Sequence, residues 1–368
     1  MKKKQLIVGL VVLVVLVAVG VYAQHRYQFD WHEVIAQFMH ADWGKIGIAT
    51  GCIYVAYVFR SVRWAYLLHH SKKLGPFSLL GTQVIGFTAI ALIGRVADPV
   101  RPYLVSKKTG LPLANQIAVY IVERLFDAGT MALVFSVAML WIPTAEIIKT
   151  TSHSSSVSSL GAVHPLLASF IARYSGLVLT VLGALFLLVV RLSGDMVATF
   201  FERTFGLISK KLGHSIGQKI HAFRTGLDAL QSIKDLAVVA SLSLAMWLLI
   251  AFAYFDCCRA FVASPELATI TPQKCVLLMI ASGGASIIQL PVFGWFTQII
   301  AVAAVLSAGF GVAKEAATAG AATLLLVTFL CIVPVGLIWA QFEHVSLRKV
   351  TVESEHAEED LEAAGATE

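Results

Sequence analysis

An all-α polytopic membrane protein is the fold class this sequence predicts, with about six full transmembrane helices plus two broken or re-entrant helical hairpins in an inverted repeat. Three observations predict it. The chain of 368 residues is 58% hydrophobic and 14% charged, with mean hydropathy +0.79, against roughly 45–50% apolar and 25% charged residues in a soluble domain. Six apolar runs approach the ~20 residues that cross hydrocarbon: Leu6–Ala23, Ile46–Leu68, Ile117–Trp141, Pro165–Val190, Leu236–Phe261 and Thr318–Ala340. Two more, Phe77–Gly94 and Cys275–Phe310, are interrupted by Gly, Pro and polar residues.

The first element, residues 1–23, joins Met-Lys-Lys-Lys to an apolar run ending in Val21-Tyr22-Ala23, which would pass as a signal-peptidase site. The run exceeds the ~7–15 residues of a signal-peptide core, so it reads as a retained transmembrane anchor. Basic loops stay in the cytoplasm, which puts Lys2–Lys4 inside and the 24–45 connection outside. The first repeat, 46–141, opens with a span whose far end carries Arg60, Arg63, Lys72 and Lys73. That end is cytoplasmic by the same rule. Lys107 and Lys108 are basic too, and a complete crossing by Phe77–Gly94 would place them outside. Residues 77–112 therefore read as a hairpin that enters and leaves on the cytoplasmic face.

Residues 142–235 comprise an external loop rich in Ser ("TTSHSSSVSS"), the transmembrane helix 165–190 and a basic connector, "FERTFGLISKKLGHSIGQKIHAFRTGLDALQSIKD". The connector suits either an interfacial helix on anionic lipid or a solvated link between halves. The second repeat, 236–345, goes out through Leu236–Phe261 and returns through the last span, which leaves Arg348 and Lys349 inside. Residues 275–310 must then make an even number of passes from the external side, as a second hairpin or as two thin spans. Residues 346–368 hold seven carboxylates and read as an acidic disordered tail. Without those seven charges the net +6 becomes +13. A body so basic suits anionic lipid, and no nucleic-acid partner is expected.

Within the first hairpin, "IGRVADPVRP" sets two arginines, an aspartate and two prolines in an apolar context. Asp98-Pro99 is a helix-start signal, and the helix would stop at Gly110-Leu111-Pro112. Broken backbone at membrane depth survives only where protein or water satisfies it, so the break should line a cavity. A helix start flanked by Arg95 and Arg101 would accept a phosphate. Asp98 competes for that place, either as the cap or as the partner of an arginine. An edge pair of Arg95 and Asp98 without function is the other reading.

On Ile117–Trp141, "VYIVERLFDAG" places Glu123 and Asp127 on one helical face with Arg124 beside them. Ionisable groups inside an apolar span face the bundle interior, as a site or as a structural ion cluster. Arg60 and Arg63 lie near a span end, where snorkelling to headgroups is an equally good account. In the later interrupted piece, "ASGGASIIQLPVFGWFTQ" brings small residues together with the amides Gln289 and Gln298. It fits a broken helix facing the first hairpin, or ordinary small-residue packing.

The five cysteines form no C-x-x-C pair, so no metal set and no cofactor are indicated, and H-E-x-x-H, G-x-S-x-G and P-loop motifs are missing. No catalytic residues are assigned. Gly47-x-x-x-Gly51 leaves a homo-oligomer open.

"RSVRW", "GRVADPVRPYLVSKKTGLP", "VYIVERLFDAG" and the late Gly/Pro-broken segment together resemble the lysylphosphatidylglycerol-synthase transmembrane-region family, the flippase-like proteins of bacterial membranes, over roughly residues 5–345. The resemblance implies a multi-pass protein of the bacterial inner membrane, both termini cytoplasmic, moving an anionic phospholipid, an aminoacylated lipid or a polyprenyl-linked lipid between leaflets. It implies no enzyme, since the aminoacyl-transferase domain of the bifunctional relatives has no counterpart here. Two positions depart from the family pattern: Ala97-Asp98 stands where Gly-Glu is common, and Gln298 where a glutamate is usual. Arg95, Asp98, Arg101, Glu123, Arg124, Asp127, Gln289 and Gln298 are the candidate substrate contacts. The alternatives are a membrane-embedded lipid-modifying transferase and a non-catalytic partner of a lipid-synthesis complex.

Overall fold

Aspartates open the first two described helices, and glycines close the next two. The structure, a computed structural model, describes residues 29–75, 77–142, 232–286 and 293–365 with six positions between 174 and 183, and among these there is no strand. The spans expected at Leu6–Ala23 and Pro165–Val190, the loop and most of the connector lie outside the described residues.

Asp30 caps helix α1, Trp31–Met39, by accepting from the His32 amide at 2.8 Å. This helix lies in the 24–45 connection, where the sequence suggested no element. Asp42 then caps α2, Trp43–Leu67, accepting from the Gly44 amide at 3.0 Å. Helix α3, Leu80–Ile93, and α4, Val100–Thr109, are joined by a short 3-10 turn, Arg95–Ala97. Gly110, at φ 71°, ends α4 as expected. Asp98 makes no cap bond, and Pro99 holds the cap position instead. Its backbone is already helical (φ −56°, ψ −39°), so its carboxylate is not turned back on the α4 amides.

Helix α5 runs from Leu113 to Trp141, and α6 from Ile233 to Arg259 behind a reciprocal cap between Ser232 and Asp235. The short α7, Pro265–Ala268, leads to α8, Pro272–Ala285. Helix α9, Phe293–Ala304, follows and closes in a π-turn, Val305–Gly309. Helix α10, Lys314–Leu325, continues through a π-turn, Leu326–Leu330, into α11, Ile332–Phe342. Pro334 explains that turn, because its ring clashes with the carbonyl four residues back and the helix loosens ahead of it. Tyr54 Oη and Thr88 Oγ1 donate to the Cys331 and Ile332 carbonyls beside the break.

Three of these helices are long and apolar enough to cross a membrane: α2, α6 and the α10–α11 pair. They turn apolar side chains outward, Ile48 and Val55 from α2, Leu248 and Phe252 from α6, and Leu337 and Ile338 from α11. Helices α2 and α6 are antiparallel. The Asp42 amide donates to the Ala260 carbonyl at one end, and Tyr66 Oη to Asp235 Oδ1 at the other. At ~1.5 Å per residue, α3 and α8 are each about 21 Å long, short of ~30 Å of hydrocarbon. The end of α3 and the turn after it meet the end of α8 and the start of α9: Arg95 Nε donates to the Ser286 carbonyl at 3.0 Å, and Trp295 Nε1 to the Ala91 carbonyl at 3.0 Å.

The acidic segment 346–368, expected to be disordered, is a helix, α12, from Leu347 to Gly365. Its Ala and Glu residues are good helix formers, and α4 gives it a surface: Tyr103 Oη and Lys107 Nζ both reach Glu353 at 2.9 Å. These two donors hold the Glu353 carboxyl below the usual carboxylate range. All five cysteines are free and sit in or beside the core, as small hydrophobes.

Candidate functional site

Arg63 sits near the end of α2 at 1% exposure, and its guanidinium joins three helices. Nη1 donates to Asp127 Oδ1 at 2.6 Å and to Ser243 Oγ at 2.7 Å, and Nη2 to Glu123 Oε1 at 2.7 Å. Arg101, fully buried on α4, donates through Nη2 to Glu123 Oε2 at 2.9 Å and through Nε to Gln83 Oε1 at 3.0 Å. Gly86 makes that reach feasible, since a Cβ there would strike Arg101 Cγ. Arg101 also lies over the rings of Trp64, Phe87 and Tyr120, an attraction that favours a desolvated guanidinium. Glu123 is thus locked, about 15 Å along α5 from its start.

Asp127 is held differently. Oδ1 accepts from Arg63 and from Trp247 Nε1 at 3.3 Å, while Oδ2 stands 3.5 Å from Arg60 Nη1 and 3.4 Å from Arg124 Nη2 without a hydrogen bond. Arg60 Nη1 and Arg124 Nε are buried donors with no acceptor. Four guanidinium charges (Arg60, Arg63, Arg101, Arg124) face two carboxylates. Two positive charges are in excess.

Arg60 and Arg124 open onto a cavity of ≈ 560 Å³ between the two hairpins. Arg95, Asp98, Asp127 and Gln298 line it as well, and so do apolar residues such as Tyr57, Phe87, Met131 and Tyr254. Arg95 and Asp98 pair at 3.6 Å on its rim, which is the second of the two roles open to Asp98. Gln298 Nε2 donates to Ser282 Oγ at 2.6 Å.

The structure therefore brings Arg95, Asp98, Arg124, Asp127 and Gln298 to one cavity. Arg101 and Glu123 stand behind its wall, bonded to one another. Gln289 lies outside the described residues. Arg60 and Arg63 do not snorkel to headgroups; both are buried, since the α5 carboxylates draw them inward. A signal for this existed in the sequence: two carboxylates within an apolar span need more than Arg124 for neutrality, and an R-x-x-R pair on the neighbouring span supplies it.

Outward-facing apolar helices, three of them long enough to cross a membrane, and a charged cavity between shorter apolar helices define a multi-pass integral membrane protein. The family model of the lysylphosphatidylglycerol synthase TM region matches residues 6–336, and the chain belongs to that family, which is tied to lipid metabolism. Searches of curated proteins and of solved structures gave no significant match.

Proposed function

We propose that this protein moves an anionic lipid between leaflets, holding its phosphate in the cavity between Arg60 and Arg124 while the tails stay in the bilayer. One observation carries the reading: Arg60 and Arg124 line the cavity, each with a buried guanidinium nitrogen that has no hydrogen-bond acceptor, in a site with two positive charges in excess. An unmatched buried cation is costly, several kcal/mol after relaxation. A phosphate supplies the missing acceptors, bidentate on the guanidinium fork. Asp127 acts as the resident stand-in, ion-paired yet unbonded through Oδ2, so a phosphate displaces it without breaking the Arg63 pair. Arg95 guards the entrance, and the two hairpins rock as inverted repeats to open the cavity to either side. A second, apolar cavity of ≈ 580 Å³, walled by Leu248, Phe252 and Val276, lies along α5, α6 and α8 and suits an acyl tail.

The test uses purified protein in vesicles containing a headgroup-labelled anionic phospholipid, with an impermeant quencher reporting the leaflet. The unaltered protein should move the label, and Arg124→Lys, which keeps charge but loses the fork, should slow it at least tenfold while remaining monodisperse. Arg95→Ala should slow it less. Full transport in both variants would exclude the phosphate site. Headgroup turnover without movement would mark a transferase, and neither activity a non-catalytic partner.

A further inference from the structure

We infer that His69, His70 and Asp235 form a binding site for one divalent transition-metal ion of the zinc class, at the junction of the end of α2 with the start of α6. The site lies apart from the charged cavity and does not depend on the transport reading. Helix α2 ends at Leu67, and the turn that follows brings two consecutive histidines to the same side, their ring centroids 3.7 Å apart. Both reach across to the first turn of α6. His70 Nε2 stands 3.3 Å from Asp235 Oδ2, and His69 Nε2 stands 3.8 Å from Asp235 Oδ1. One ligand atom from each of the three residues falls within 4.8 Å of the others. Tetrahedral bonds of ~2.0–2.1 Å to nitrogen and oxygen put ligand atoms about 3.3 Å apart, so a small inward movement completes the geometry.

Protonation points the same way. His69 Nδ1 contacts the Tyr66 carbonyl, and a carbonyl only accepts, so in the neutral ring Nδ1 carries the hydrogen and Nε2 carries the lone pair. A lone pair and a carboxylate oxygen 3.8 Å apart are two acceptors that call for a cation between them. The carboxylate is held in advance. Tyr66 Oη donates to Oδ1 at 2.8 Å and the Ser232 amide to Oδ2 at 2.9 Å, the outer contacts that orient metal ligands. The histidine side chains are 32% and 30% exposed, which gives an ion access, while Asp235 is buried at 8%. Two imidazoles and one carboxylate suit zinc and its neighbours rather than calcium or magnesium, and a fourth position stays open to water. A bound ion would tie the paired ends of α2 and α6, the helices that carry Arg63 and Ser243.

The experiment uses the full chain, freed of its affinity tag and stripped with a chelator, then titrated with Zn²⁺ and with Co²⁺ as a spectroscopic probe. One equivalent should bind with micromolar affinity or better, Co²⁺ should develop visible d–d absorption, and Zn²⁺ should raise the melting temperature. His69→Gln and His70→Gln should each weaken binding at least tenfold and abolish the thermal shift, with the metal-free melting temperature unchanged. Asp235→Asn keeps an acceptor for the Ser232 cap and should weaken binding likewise. If this last variant fails to fold, the two histidine variants decide the matter. No stoichiometric binding would overturn the site and leave only the contact of His70 with Asp235 in its place. Binding unaltered in the His69→Gln/His70→Gln double variant would put the ion elsewhere and overturn it equally.

Discussion

Arg63 and Arg95 show how burial separates two arginines of equal charge. Arg63 hydrogen-bonds both Glu123 and Asp127 at 1% exposure, so Arg63→Ala takes from Asp127 its hydrogen-bonded guanidinium and from Glu123 one of its partners, in low dielectric. Breaking such a buried set costs about 3–5 kcal/mol, and the variant should lose its monodisperse fraction after mild heating in detergent. Arg95 pairs with Asp98 at the cavity rim with 41% of its side chain exposed, and Arg95→Ala should cost about 1 kcal/mol or less. Equal thermal stability of the two variants would show that the charges on α5 find other partners. Glu123, Arg124 and Asp127 were legible as a group because ionisable residues inside an apolar run need an explanation. The part played by Arg63 was not, because a cation near a span end looks the same whether it turns to the headgroups or to the core.

Helices α3 and α11 pack antiparallel, with Thr88 against the Ile332 carbonyl and Trp339 against Gly81. Gly336 sits at their closest approach, where an added Cβ would strike Thr88 and lie 3.0 Å from the Val84 carbonyl. Rotation of Thr88 would move its hydroxyl, but the Thr88 Cβ at 2.7 Å and the Val84 carbonyl cannot yield without moving α3. Gly336→Ala should therefore destabilise by ~1–3 kcal/mol as an overpacking change, read as a lower melting temperature. A neutral substitution would mean that the two helices separate freely. At this scale the break between α3 and α4 was legible, since Gly94 and Pro99 interrupt the apolar run and Gly110 ends the second piece. Helix α1 was not, because its inward face is only Val34 and Gln37. Helix α12 was hidden by its charge: composition measures what a segment can bury alone, and this one docks on α4 through Val350 and Glu353.

Across the whole molecule, the parity of charged loops set the expected topology, and one contact bears directly on it. Lys72 Nζ donates to the Thr109 carbonyl at 2.6 Å, tying the turn after α2 to the end of α4. The hairpin's exit thus lies beside its entrance, and α3 and α4, too short to cross singly, return to the end from which they started. His40 precedes α2 and lies at the other end of a 25-residue helix, about 37 Å away. Single substitutions His40→Cys, Lys73→Cys and Lys107→Cys, all at exposed positions, can be labelled in sealed vesicles with an impermeant thiol reagent, subtracting the labelling of the unaltered protein. The Lys73→Cys and Lys107→Cys variants should label from one side only, the cytoplasmic one by the charge rule, and the His40→Cys variant from the opposite side. Labelling of the Lys107→Cys variant from the His40 side would mean that residues 77–112 cross the membrane. The inverted repeat, and with it the rocking of two hairpins around Arg60 and Arg124, would then fail, because a repeat of opposite orientation requires both broken elements to start and finish on their own sides.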